Sequence, residues 1–110
     1  MKLYRMHRKG NLCKGIWQDA PCELEIELSS QYGNCGSEGL EEDDYFAVPS
    51  LDTIVLEDIE VLIKYGYVIS CIEVSAWGEV YDGDILVECV FKMEHVISVE
   101  EVDMNRIKGM

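Results

Sequence analysis

Carboxylates stand at two spacings that could do chemistry. Glu23, Glu25 and Glu27 alternate with Cys22, Leu24, Ile26 and Leu28, and Glu41, Glu42, Asp43 and Asp44 follow one another without interruption. On a strand, alternate side chains share a face and recur at ~6.6 to 6.8 Å. The first set therefore predicts a straight row of negative charge, and the second a compact negative patch. Each strand of duplex DNA carries one phosphate per ~3.4 Å, and a basic groove built for that polymer releases the same counterions when it meets a protein polyanion. The chemistry on offer is recognition of a cationic surface, with carboxylates standing where phosphates would. The bland alternative is the wet side of amphipathic elements, where Glu is commonplace.

Other reactive groups are sparser. The histidines, His7 and His95, lie at opposite ends of the chain, and neither a GxSxG elbow nor a Cys-His-Asn signature accompanies them. Phosphate-cradling GxGxxG and GxxxxGK[ST] patterns are absent, so Gly33, Gly36 and Gly39 read as loop residues. The cysteines Cys13, Cys22, Cys35, Cys71 and Cys89 form no CxxC pair, unlike the close pairs of structural zinc sites, and an odd number fits reduced thiols. The contiguous acids at 41–44 cannot supply the alternating ligands of a calcium loop. We expect no catalytic residue, no metal and no cofactor.

The elements that must position these residues follow from periodicity. Residues 2–7 suit a strand, Lys9-Gly10-Asn11 a turn, and residues 12–17 a weakly patterned return; residues 22–28 alternate strictly and predict a further strand. Leu51, Val55, Ile59, Leu62 and Ile63 recur at helical spacing, with Ser50 as cap, Glu60 and Lys64 as an i,i+4 pair and Gly66 past the end. The β-branched run Thr53-Ile54-Val55 allows instead a short strand and a helix beginning near Glu57. Ile72, Val74, Ala76 and Val80 then alternate with polar residues, and Ile85, Val87, Cys89, Phe91 and Met93 do so after Asp82-Gly83. This predicts a hairpin over 71–94 with Asp82-Gly83 at its turn, setting Val80 opposite Ile85, Ala76 opposite Cys89, Val74 opposite Phe91, Ile72 opposite Met93 and Glu73 opposite Lys92. Ser98-x-x-Glu101 reads as a capping box for a terminal helix that ends at Gly109, with Asp103 in its first turn. The expected fold is α+β: one small domain over 1–110, a largely antiparallel sheet with two helices, the 71–94 hairpin as its core, and residues 29–48 a long acidic loop.

Composition sets the partner class. The 110 residues carry 22 acids against 9 bases, a formal charge of −13, and the first 15 hold five bases and no acid. A chain this short leaves no room for a separate cofactor domain. Like charge at this density disfavours nucleic acid and anionic membranes and favours basic partners. No apolar run reaches the ~20 residues of a membrane span, and the basic start lacks the apolar stretch of a signal peptide, so a cytosolic protein is expected.

The opening Leu3-Tyr4-Arg5, with Lys14-Gly15-Ile16-Trp17, the helix, Gly66-Tyr67-Val68-Ile69 and a hairpin, resembles short uncharacterised phage-encoded proteins that begin with an LYR strand. The same opening is similar to ADP-ribosyltransferase folds, in which an Arg or His on the first strand holds NAD; that resemblance implies Arg5 in this role. The family's Ser-Thr-Ser strand is missing, which implies a degenerate relative. As a class, the chain is similar to acidic DNA-mimic inhibitors. The expected function is a non-enzymatic protein, phage or mobile-element encoded, that uses Glu23, Glu25, Glu27, Glu41, Glu42, Asp43 and Asp44 to block the basic nucleic-acid-binding surface of a restriction or CRISPR effector. The alternatives are the degenerate transferase using Arg5 and a phage structural or assembly accessory.

Overall fold

The computed structural model describes residues 1–15, 44–54 and 56–108. Strand β1 (Lys2–Arg8) enters the expected turn, where Gly10 takes φ +80°, a region that glycine reaches without a Cβ clash, and β2 (Asn11–Gly15) returns antiparallel. Asn11 Oδ1 tightens the turn by accepting from the Cys13 amide at 3.1 Å. The expected strand over 22–28 lies outside the described residues.

Strand β3 (Asp44–Ala47) corrects the expected 29–48 loop at its far end. Tyr45 and Phe46 are aromatic strand formers, but the run of acids before them reads in the sequence as a solvated loop. Residues 29–43 lie outside the described residues. Past β3, Val48 exchanges main-chain hydrogen bonds with Tyr4 of β1, at 2.9 and 2.8 Å. Ser50 Oγ accepts from the Asp52 amide at 3.2 Å and caps a single 3-10 turn, Leu51–Thr53. Helix α1 (Leu56–Lys64) begins only after this turn and an extended Ile54, close to the later of the two expected starts. It ends as expected at Gly66, whose φ of +79° lets its amide fold back onto the Ile63 carbonyl at 3.2 Å.

The remaining elements are β4 (Tyr67–Val74), β5 (Gly78–Asp82), β6 (Ile85–Lys92), β7 (Val96–Glu101) and α2 (Met104–Lys108). The described strands form a four-stranded sheet in the order β2-β1-β4-β7 and a three-stranded sheet in the order β3-β6-β5, antiparallel throughout. The α+β class with a mostly antiparallel sheet is therefore as expected, except that the strands divide between two sheets.

The central strands of the larger sheet, β1 and β4, are buried on both faces. One face presents Met6 and Ile69, paired in register, to Ile59 and Leu62 of α1, with Val48, Ile54 and Met104 closing the cluster. The other presents Leu3 and Ile72, also paired, to Ala47, Cys89 and Phe91 of the smaller sheet, with Val74 beside them. Burying one such aliphatic side chain contributes roughly 1.5 to 3 kcal/mol. Double burial explains why Tyr67–Val74 reads as an apolar run at its start rather than as an alternation.

The hairpin is corrected in extent and register. Residues 72 and 74 belong to β4, which pairs with β1 and β7; the chain leaves that sheet at Ser75-Ala76-Trp77 and re-enters the other as β5. Asp82 pairs with Ile85, so the loop residues are Gly83 and Asp84, with Gly83 at φ +63° in the first loop position. A bulge between Val80 and Tyr81 shifts the register again, setting Glu79 opposite Cys89. Ile72, Val74, Cys89 and Phe91 do share one core, but across two sheets and not along one ladder. Lys92 pairs with Asp44, not Glu73, and binds its carboxylate at 2.8 Å.

The expected capping box is a strand. Ser98 and Glu101 lie in β7, opposite Glu73 and Ser70 of β4, and α2 is capped by Asp103, whose Oδ1 accepts from the Asn105 and Arg106 amides at 3.1 and 3.2 Å. The three-residue spacing from Ser98 to Glu101 is a local cue, and pairing with β4 overrides it.

Candidate functional site

The three polar side chains that β1 and β4 carry into the core come first. Arg5 is 4% exposed. Its Nε donates to the Leu12 carbonyl at 2.7 Å, Nη1 to Phe46 at 2.6 Å and Nη2 to Cys13 at 3.4 Å. The guanidinium carbon lies 5.1 Å from the centre of the Tyr45 ring and 5.9 Å from that of Phe91. Burial lowers its pKa to about 10, which leaves it charged at neutral pH. A Cβ on Gly15 would lie 2.9 Å from Nη2, so that position takes glycine. One cation thus ties β1 to β2 and β3. A nucleotide phosphate at Arg5 would have to displace these carbonyls, so the arrangement lends the NAD-binding reading no support.

Ser70 is paired with Arg5 across β1 and β4, and His7 stands two residues further along β1. Nδ1 of His7 is 2.9 Å from the Arg8 carbonyl, an acceptor, so this nitrogen carries the proton and donates. Nε2 then accepts from the Ser70 hydroxyl at 2.7 Å. Burial pushes the His7 pKa below its ordinary value, nearby Arg5 adds to the effect, and the Arg8 carbonyl and Glu101 oppose it. A serine hydrogen-bonded to a neutral imidazole is the arrangement that activates nucleophiles. Here Ser70 is 1% and His7 5% exposed, so no substrate reaches the hydroxyl and the pair acts as a cross-strand tie. Sequence reading missed it because the residues are 63 apart and meet through strand register alone.

Among the described residues, no group of three or more His, Cys, Asp or Glu side chains is placed to hold a metal ion. Cys13, Cys71 and Cys89 are free thiols, and burial raises the pKa of Cys89.

The surface carries the remaining candidates. Of the expected partner-binding carboxylates, Glu23, Glu25, Glu27, Glu41, Glu42 and Asp43 lie outside the described residues. Asp44 is described, and its ion pair with Lys92 joins β3 to β6. Exposed acids occur on α1 (Glu57, Glu60), the β5–β6 hairpin (Glu79, Asp84) and β7 (Glu100, Glu101), whereas Lys2, Arg8, Lys9 and Lys14 are exposed along β1 and β2. A groove of about 440 Å³ beside α2 mixes Lys9 with Glu101 and Asp103 and favours neither sign of ligand. Tyr81 and Ile85, at the end of the β5–β6 hairpin, are 54% and 69% exposed, and the Tyr81 hydroxyl donates to Glu79 Oε2 at 2.5 Å.

No family model, curated protein or solved structure matches this chain.

Proposed function

We propose that this chain is a small acidic binding protein that covers a basic, nucleic-acid-binding surface of a partner, its carboxylates occupying the positions of phosphates. The observation that carries the reading is the distribution of charge. Residues 16–43 hold Asp19, Glu23, Glu25, Glu27, Glu38, Glu41, Glu42 and Asp43 and no Lys or Arg. Elsewhere the cations are partly spent inside the molecule, Arg5 on main-chain carbonyls and Lys92 on Asp44. Among the described residues, neither the buried Ser70–His7 pair nor the engaged Arg5 offers an enzymatic reading an accessible group. The resemblance to short phage-encoded proteins fits an inhibitor of a host defence effector, acting in the host cytoplasm. Among the described residues no helix is long and apolar enough to cross a membrane.

The test is purification of the tagged chain from its host, followed by measuring nucleic-acid binding by the captured partner with and without the chain. The expected result is competition that weakens steeply between 50 and 200 mM salt, because each partner Lys or Arg that engages a carboxylate must shed counterions, in the range of about 10³ to 10⁵ for a phosphate-like set of six to ten contacts. A partner that binds nucleic acid equally well in the presence of the chain would overturn the reading.

A further inference from the structure

At the start of β4 its two neighbours stop at different points. On one side β1 runs to Arg8, opposite Tyr67, and the Lys9 amide donates to the Gly66 carbonyl at 3.2 Å, which fixes Lys9 beside the first residue of β4. On the other side β7 pairs only as far as Glu101 with Ser70. The Val102 amide then donates to the Ile69 carbonyl at 2.8 Å, and the chain turns away into α2. The gap this leaves is the groove of about 440 Å³.

The topology sets its charges on opposite walls. Because β1 and β7 flank β4, Lys9 stands on one side and Glu101 and Asp103 on the other. Neighbouring strands lie about 4.7 to 4.9 Å apart, so the two walls are roughly 10 Å apart at the backbone. Among the described residues Lys9 forms no ion pair with either carboxylate. Ile63, Val102 and Met104 add an apolar lining.

These features select the ligand by exclusion. A simple cation would meet Lys9, and a simple anion would meet Glu101 and Asp103. A molecule that carries both signs on one carbon satisfies both walls, and an apolar substituent on that carbon would cover the lining. Small-molecule sites occupy about 300 to 1,000 Å³ and combine apolar walls with a few convergent polar groups, so the groove has room for such a molecule.

We infer that this groove binds a small zwitterion of the α-amino-acid class with an apolar side chain, Lys9 meeting its carboxylate and Glu101 and Asp103 its ammonium group. The inference is independent of the proposed covering of a basic surface, and either can fail without the other.

The test titrates the full chain with four probes, leucine, glycine, leucinamide and N-acetylleucine, and follows backbone amides by heteronuclear NMR. Leucine is expected to saturate at millimolar concentration with shifts concentrated at residues 63–68 and 101–105. Each of the other probes, lacking the side chain, the carboxylate or the ammonium group, should bind about tenfold more weakly. Lys9→Gln should abolish the preference for leucine over leucinamide. Glu101→Gln with Asp103→Asn, which keeps an acceptor for the α2 amides, should abolish the preference for leucine over N-acetylleucine. Leucinamide bound as tightly as leucine would mean that the acidic chain attracts any amine and would overturn the inference. Shifts outside the groove, no saturation with leucine, or preferences that both variants retain would overturn it as well.

Discussion

The centre of the four-stranded sheet and the tip of the β5–β6 hairpin depart from the usual placement of side chains in opposite directions. At the centre, Arg5, His7 and Ser70 are polar and buried; at the tip, Tyr81 and Ile85 are apolar and exposed. The difference lies in whether the molecule itself supplies the missing partner. Carbonyls of Leu12 and Phe46 meet Arg5, and Ser70 meets His7, so the inner departure is closed within the fold. The apolar surface of Tyr81 and Ile85 stays in water. A buried polar group needs its bond, because losing it costs the full desolvation of what remains, whereas an exposed apolar residue costs the monomer little and can be retained for an interface.

The sharpest way to break this contrast is to remove the inner cation. Arg5→Met is expected to cost about 2 to 6 kcal/mol, since the two carbonyls it meets most closely, those of Leu12 and Phe46, lose their donor at about 1 to 3 kcal/mol each. Arg5→Lys should recover only part of the loss, because a single ammonium cannot reproduce the fork that reaches β2 and β3 together. Denaturant unfolding of both variants measures it. An Arg5→Met protein as stable as the parent would show that the three strands are held by packing alone.

His7 sharpens the same point through pH. Its folded pKa lies below its ordinary value because burial disfavours the charged form. As pH falls below the ordinary histidine value of about 6.5, the unfolded chain takes up a proton that the fold refuses, so stability declines, and it continues to decline until the folded pKa is reached. Arg5 and Glu101 act on the ring in opposite senses, and the Arg5 side prevails together with burial. His7→Gln, which can still bond Ser70, should show a shallower loss between pH 7 and pH 5. The comparison of variants cancels the common effect of the many surface carboxylates, and parallel curves for the two proteins would remove His7 as the cause.

What could be read from the sequence follows the range of each interaction. Gly10, Ser50 and Gly66 announced their turns and cap because left-handed φ and capping are local requirements. The apolar faces of β4 and β6 were legible for the same reason: alternation marks a face wherever the strand ends up. Partner choice was not. Ile72 and Val74 alternate as a hairpin arm would, yet β1 takes them as its neighbours, and a bulge at Val80 and Tyr81 resets what remains of the arm. Ser98 and Glu101 mimic a cap because that pattern says nothing about a strand waiting at residues 70–74. Arg5 was singled out as a cation on the first strand, but its role as a tie depends on carbonyls that β2 and β3 bring to it.

The smallest expected effect belongs to the tip. Tyr81→Ser and Ile85→Ser remove side chains that are mostly in water, so little buried area is lost and no packed neighbour is left with a cavity. Neither change touches the Gly83 conformation or the Asp82–Ile85 pairing on which the turn depends. Two opposing small terms remain: lost strand propensity at both sites, which weakens the hairpin, and less exposed apolar surface, which favours solubility. Each variant should therefore stay within about 0.5 kcal/mol of the parent in stability, as surface substitutions usually do. Denaturant midpoints of the two variants against the parent decide it. A loss above about 1.5 kcal/mol at either site would mean that the residue packs within the chain. The tip would then belong with Arg5 and His7 as a departure the fold resolves by itself, and the contrast between the two regions would collapse.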